Sequence, residues 1–297
     1  HLSRKEISEQ SDRVKVFKEK NIYFAQDEID ALIICNSTQM HLEFIQFAVS
    51  RGIPVFCEKP LAKDEYGLLD ILEKVEKDNL PTSVGYMMRY EPGIKRIKEM
   101  LDNDEIGKPI SAQINWSTYL PNWHPDENYS ESYAAFASSG GGITLTCSHE
   151  IDTMRYLFGE VSSFCSVHSS SEVLETDVDD CLDAIFQMRN NVNVTMHINW
   201  LQMDNQRQIN IIGEGGSIHW DFFKKQVVKF EHQSQEKCNF NYIHDINDCY
   251  IENIKEFIDS IKGSVIPKSS LNDAFKTLEI CTAILKGKDN ELYKHTF

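Results

Sequence analysis

The chain has 297 residues, 41% hydrophobic and 26% charged, with only 14 Gly and 8 Pro. That mixture can bury a sizeable core and excludes wholesale disorder, collagen-like and low-complexity architectures. Thirty Lys and Arg against 46 Asp and Glu leave a net charge of −16, which excludes a general nucleic-acid binder because phosphate contacts need a basic face.

No apolar run approaches the roughly 18 residues of a membrane span. The opening His1-Leu2-Ser3-Arg4-Lys5 lacks the apolar stretch of a signal peptide. The 8 cysteines are scattered, with no CxxC pair. A cytoplasmic, reduced protein with no membrane partner is therefore expected.

In chain order, the first third alternates strand and helix. Asp30-Ala31-Leu32-Ile33-Ile34-Cys35 is continuously apolar, as in a strand covered on both faces, and ends in Asn36-Ser37-Thr38. Ser37 or Thr38 caps the next helix, with Met40, Phe44, Phe47 and Ala48 on its inward face and Gly52 past its end. Ile53-Pro54-Val55-Phe56-Cys57 gives a second buried strand, closed by Glu58-Lys59-Pro60. A helix from Asp64 to Asp78 turns Leu68, Leu69, Leu72 and Val75 inward, and Thr82–Tyr86 reads as a third strand. This is βαβ grammar, a parallel α/β sheet with right-handed crossovers.

The pattern changes after Pro92. A helix carrying Ile94, Ile97 and Leu101 leads into an aromatic-rich loop, the run Gly140-Gly141-Gly142 and another helix. Val192, Val194, Met196, Ile198 and Trp200 then alternate with Asn193, Thr195, His197 and Asn199. That period of two predicts an antiparallel sheet with one polar face, its turns at Arg189–Asn191 and Gly213–Gly216. Two helices close the chain, one carrying Tyr250, Ile254, Phe257, Ile258 and Ile261, the other Ala274, Leu278, Cys281 and Leu285. The expected fold is α/β: an N-terminally incomplete Rossmann-type domain over residues 1–90, then an α+β domain with an open, mostly antiparallel sheet over 91–297. The C-terminal helix is expected to pack back on the first domain.

Ligands of open α/β sheets sit beyond the carboxyl ends of the strands. Asn36-Ser37-Thr38 and Glu58-Lys59-Pro60 both lie at that edge. A lone lysine in such a loop is ordinarily just solvated, so Lys59 gains weight only from its company.

That company resembles the Gfo/Idh/MocA oxidoreductase family. The resemblance runs through Ala31–His41, Gly52–Ala62 with Glu58-Lys59-Pro60, Gly85–Tyr90, and Glu105–Pro109. It continues through Gly140–Gly142 with Ser148-His149-Glu150-Ile151-Asp152, and through Ile211–Gly216. Glu-Lys-Pro alone is a weak signal; the ordered set is strong.

The resemblance implies an NAD- or NADP-dependent dehydrogenase acting on CH–OH groups of sugars, sugar nucleotides or polyols. It implies that Lys59 steadies the reacting oxygen and that His149 is the general acid/base. Asn36, Ser37, Thr38, His41, Glu58, Lys59, Pro60 and Arg89 are implied for the cofactor. Arg89, Trp123, His124, Tyr133 and Asp152 are implied for the substrate. Aromatic faces of the Tyr119–Tyr133 segment suit sugar rings, though Trp123 and the tyrosines serve equally as interface packing.

Two departures stand out. No GxGxxG turn occurs, so a βαβ unit of roughly 30 residues is expected to be missing ahead of Asp30, and with it the residue that chooses NAD over NADP. The Asp that many relatives carry three or four residues before the histidine is replaced by Thr146 and Leu145. That replacement admits a rival, a non-catalytic dinucleotide or sugar sensor of the same fold. No metal site is expected: His244-Asp245 with Asp248-Cys249, and Cys147 near His149, lack zinc-ligand spacing. Association into a homodimer or homotetramer through the antiparallel sheet is expected, as in many of the family.

Overall fold

The structure, a computed structural model, describes residues 29–123 and 126–297. Three short strands, β1 (Leu32–Ile34), β2 (Val55–Cys57) and β3 (Thr82–Val84), pair in parallel in that order. Between them run helices α1 (His41–Ser50) and α2 (Leu69–Lys77). β2 and β3 are buried on both faces, as their unbroken side-chain burial requires of inner parallel strands. β1 departs from that expectation: Leu32 and Ile34 are buried but Ile33 is 49% exposed. Among the described residues β1 pairs with β2 only.

The helix phases also differ from expectation in detail. α2 starts five residues late because Asp64 Oδ1 accepts from Tyr66 N at 3.0 Å and Gly67 takes a left-handed φ of +75°, ending any earlier turn. Leu69 is consequently outside and Ile71 inside. A 3-10 turn over Thr38–Met40 precedes α1 and rotates its inward face to His41, Ile45, Ala48 and Val49, leaving Met40, Phe44 and Phe47 half-buried on its flank. Neither Ser37 nor Thr38 supplies a side-chain cap.

Helix α3 (Pro92–Asp102) starts with Pro92 at its first turn and Glu91 accepting from Ile94 N at 2.8 Å. Ahead of the expected aromatic-rich loop, which holds 3-10 turns over Leu120–Asn122, Tyr129–Glu131 and Tyr133–Ala135, comes strand β4 (Pro109–Tyr119), where no strand was expected. Its Ala112 and Ile114 are buried while Gln113 between them is exposed, a period of two that Trp116 and Tyr119 obscure. β4 sits inside a nine-stranded sheet between β7 (Asn193–Asn199) and β8 (Leu201–Gly213). The remaining strands are β5 (Val161–Ser169), β6 (Cys181–Met188), β9 (Gly216–Asp221), β10 (Gln226–Glu231), β11 (Lys237–Asn241) and β12 (Tyr293–Thr296). Their order is β11-β10-β9-β8-β4-β7-β6-β5-β12, and every pairing is antiparallel except β4 with β7.

Helices α4 (Ile143–Thr146), α5 (Ser148–Phe158), α6 (Ile246–Ile261) and α7 (Leu271–Leu285) complete the fold. α6 presents Cys249, Asn253, Phe257 and Ser260 inward, while Tyr250, Ile258 and Ile261 stay exposed. Asn253 sets that rotation, its Nδ2 lying 3.3 Å from both Ser83 Oγ and the Tyr90 hydroxyl. The start of α7 is tied to β3. Val84 N donates to Ser269 O at 2.7 Å, Ser269 Oγ returns a bond to Val84 O at 2.8 Å, and Leu271 N donates to Thr82 Oγ1 at 3.2 Å. Among the described residues no helix is long and apolar enough to cross a membrane, and all eight cysteines are free.

Candidate active site

The carboxyl ends of β1, β2 and β3 open toward the turn that joins α4 to α5. After β2 the chain turns sharply through a cis Lys59–Pro60 bond. His41 links this turn to the loop after β1, its Nδ1 lying 2.9 Å from Pro60 O and its Nε2 3.1 Å from Asn36 O. The imidazole is 1% exposed, and burial lowers its proton affinity. His41, expected along the cofactor edge, therefore faces inward and holds the two loops together. Asn36 is exposed, Ser37 half-buried and Thr38 buried. No side chain caps the start of Thr38–Met40 or α1, and the Met40 and His41 N–H groups donate to Ser37 O and Thr38 O.

Glu58 fills the space beside Gly85, where a Cβ would come 2.7 Å from Glu58 Oε2. Burial pushes the Glu58 carboxyl up and Lys59 pulls it back only in part. The glycine run closes the other wall. Gly140 has a left-handed φ of +76° and packs so tightly on Thr38 that a Cβ would lie 3.0 Å from its methyl group. Gly142, at φ +95°, leaves room for Asp179, whose Oδ2 accepts from Thr144 N at 3.0 Å and anchors α4.

Lys59 Nζ donates to Thr146 O at 2.8 Å, which brings the lysine to within one helical turn of His149. His149 is 6% exposed, stands edge-on to the Tyr86 ring at 5.8 Å, and has a buried Nδ1 with no partner. Burial first, then the charges of Lys59 and Arg207, hold its proton affinity well below the usual imidazole range. The side chain is thus a neutral base beside a cation. Thr146 Oγ1 is likewise buried without a partner, and the buried Tyr86 and Ser148 hydroxyls have only each other. Native interiors satisfy such groups, so this cluster of spare donors and acceptors fits a polyhydroxylated substrate and the nicotinamide end of a cofactor.

Arg89 and Asp152, expected to reach the ligands, are instead spent on each other. Arg89 Nε donates to Asp152 Oδ2 at 2.8 Å and Nη2 to Oδ1 at 2.6 Å, with Asp152 fully buried. Asp273 on α7 completes the junction, bonding both Arg89 and Arg155. Burial works against the Arg89 charge, and the two carboxylates overcome it, holding the guanidinium more firmly protonated than usual. Asp152 therefore does not couple to His149; three residues along α5 it faces α7.

Trp123 also packs inward. It stacks on Trp116 at 5.7 Å, meets Trp200 edge-on at 5.5 Å and donates to Thr118 Oγ1 at 3.0 Å. Tyr133 is 45% exposed, and His124 lies outside the described residues. The site contains a pair that the motifs did not flag, Arg207 on β8 and Glu150 on α5, joined at 2.8 Å. Its one sequence signal is an arginine in phase with Ile209 and Ile211 on the buried face of β8.

On the outward sheet face Cys181, Asp183 and His197 converge within 4.8 Å. Asn199 Oδ1 accepts from two backbone N–H groups, so its Nδ2 must donate to His197 Nε2 at 2.9 Å. The proton then sits on Nδ1 and is donated to Asp183 at 2.8 Å. In this arrangement both ring nitrogens are engaged by neighbouring side chains.

Known proteins agree with this architecture. Residues 1–86 match the family described as "Oxidoreductase family, NAD-binding Rossmann fold", and residues 94–219 match the GFO/IDH/MocA C-terminal domain. The chain is 24% identical to myo-inositol 2-dehydrogenase of Thermotoga maritima, covering 97% of this chain and 86% of that protein. Levoglucosan dehydrogenase in complex with NADH and levoglucosan superposes with a TM-score of 0.82 at 19% identity, over 91% of this chain and 80% of that one. An Agrobacterium radiobacter oxidoreductase in complex with NAD+, L-tartaric acid and magnesium gives 0.79 at 16% identity, over 90% and 80%. The ordered motifs, the two sheets and these matches agree: the chain belongs to the Gfo/Idh/MocA family of oxidoreductases.

Proposed function

We propose that this protein is an NAD(P)-dependent dehydrogenase acting on a secondary hydroxyl of a sugar- or polyol-type substrate. The observation that carries it is the buried, neutral, unpartnered His149 beside Lys59. Asn36, Ser37, Glu58 and Pro60 hold the dinucleotide. When bound, its nicotinamide ring accepts or returns the hydride. His149 takes the hydroxyl proton as the carbonyl forms, and a neutral imidazole is the form that can do so. Lys59 donates to the same oxygen and offsets its growing negative charge in a site shielded from water. Tyr86, Thr146 and Ser148 hydroxyls meet the substrate's other hydroxyls.

Names of relatives support the substrate class, inositol and levoglucosan both being polyhydroxylated rings. The test is fluorescence-detected binding of NADH and NADPH, on this chain and on a version extended at its N-terminus, followed by turnover on inositols and sugars. Binding without turnover by either protein on any of them sinks the dehydrogenase and favours a sensor. No binding by either sinks the cofactor assignment.

For assembly, we propose a homodimer or homotetramer joined through the outward sheet face, where Ile185, Met203 and Ile212 are exposed. Light scattering on the purified chain reads this directly, and a monomer rejects it. A cytoplasmic location is the corresponding proposal for the cell, supported by eight unpaired thiols.

A further inference from the structure

The junction between α4 and α5 is held from two sides. On one side Lys59 reaches the carbonyl of Thr146. On the other, Arg207 reaches from β8 to Glu150, the residue after His149, with Nε 2.8 Å from Oε1. The arginine is itself locked. Its guanidinium lies over the Trp116 ring at 4.6 Å and the Phe222 ring at 5.5 Å. Trp116 is its cross-strand partner on β4, and Trp116 in turn stacks on Trp123. Arg207 is 7% exposed and Glu150 3%, so neither side chain has water as an alternative partner.

A buried ion pair is expensive and is weak evidence for stability. Two rings and a strand spent on orienting one guanidinium beside the proposed base call for another explanation. We propose that Arg207, clamped by Glu150 and by the Trp116 and Phe222 rings, is a positioning residue that sets the orientation and charge environment of His149.

The assignment rests on His149 being the proton carrier and extends that role to a residue from the other sheet. Lys59 after β2 and Arg207 on β8 act on the imidazole by charge, and Tyr86 after β3 stands edge-on to it; Cys147 and Glu150 are the titratable groups beside it on its own segment. Of these only Lys59 and Arg207 are positive, and both oppose a second proton on the ring. Glu150 keeps Arg207 at its post and leaves Oε2 buried without a partner, an acceptor for a substrate hydroxyl.

The test is an NMR titration of His149 in wild type and in Arg207→Met, with the double variant Glu150→Gln/Arg207→Met in case the lone buried Glu150 unfolds the single one. Both variants are expected to titrate closer to the ordinary imidazole range than wild type. At a pH where His149 is neutral in all three, kcat is expected to fall up to about 100-fold through misorientation, with NADH affinity unchanged. Arg207→Lys should restore the titration midpoint. A folded variant whose His149 titrates as in wild type overturns the inference. If instead wild type binds NADH but turns over no polyol, the dehydrogenase reading fails, and the titration still reports on Arg207.

Discussion

The proposed chemistry rests on two side chains whose surroundings differ in kind. Lys59 hangs on one hydrogen bond to a carbonyl, whereas His149 is enclosed. Lys59→Ala is therefore expected to lower kcat by about 10²–10³-fold, the usual worth of a donor at a developing oxyanion, with the thermal midpoint little changed. Steady-state kinetics beside a melt would reveal a structural lysine by an equal loss of both. His149→Asn should cost about 10²–10⁴-fold in turnover. Proton affinity also links to stability. Burial depresses His149 and His41 in the folded state, so the unfolded chain binds more protons around the ordinary imidazole range. The contribution of these two groups is fully present above that range and is lost as pH falls through it. Burial raises Glu58, Glu91 and Asp179, which act the opposite way, so the expected result is read as a difference: urea unfolding at pH 7.5 and 5.5 should show His149→Asn losing less stability, or gaining more, on acidification than wild type.

At the scale of elements, two junctions hold the site open. The first is Arg89–Asp152–Asp273, which ties the Met87–Tyr90 turn to α5 and α7. Arg89→Met would leave a fully buried carboxylate unpaired and is expected to cost about 3–5 kcal/mol, read by urea unfolding. A loss under 1 kcal/mol with weakened substrate binding would instead return Arg89 to the ligand contacts expected from the motif. The second junction is the glycine run. Gly142→Ala combines a left-handed φ with a clash 2.1 Å from Asp179 Oδ1, so a loss of about 1–3 kcal/mol is expected. Because α4 leads directly into His149, turnover should fall with it. The elements most legible in sequence were β2 and β3, buried throughout, and the β7 alternation, which burial follows as far as Ile198 before the polar Asn199 turns out buried as well. β4 was not legible because its period of two stops after Ile114: Asn115 and Trp116 are both half-buried, and Ser117 and Thr118 both buried.

For the whole molecule, Lys59 from the loop after β2 and Arg207 from the nine-stranded sheet bracket the α4–α5 junction, bonding Thr146 and Glu150. Cofactor binding should stiffen this junction. NADH at 100 times its dissociation constant is expected to add about 2.7 kcal/mol to unfolding, measured as a rise in the melting midpoint; no rise at that occupancy would deny preferential binding to the folded chain. The family and its two-sheet plan could be read from linear order, because strand-end tripeptides and short motifs are local features of the backbone. Which polar groups are spent on each other could not be read. Arg89 and Asp152 are 63 residues apart, and Arg207 lies 57 residues from Glu150. Whether a charged side chain faces a ligand or another charge depends on burial and on the packing of distant elements. In water those groups are equally well solvated wherever they sit; only the dry interior forces each one to find a specific partner.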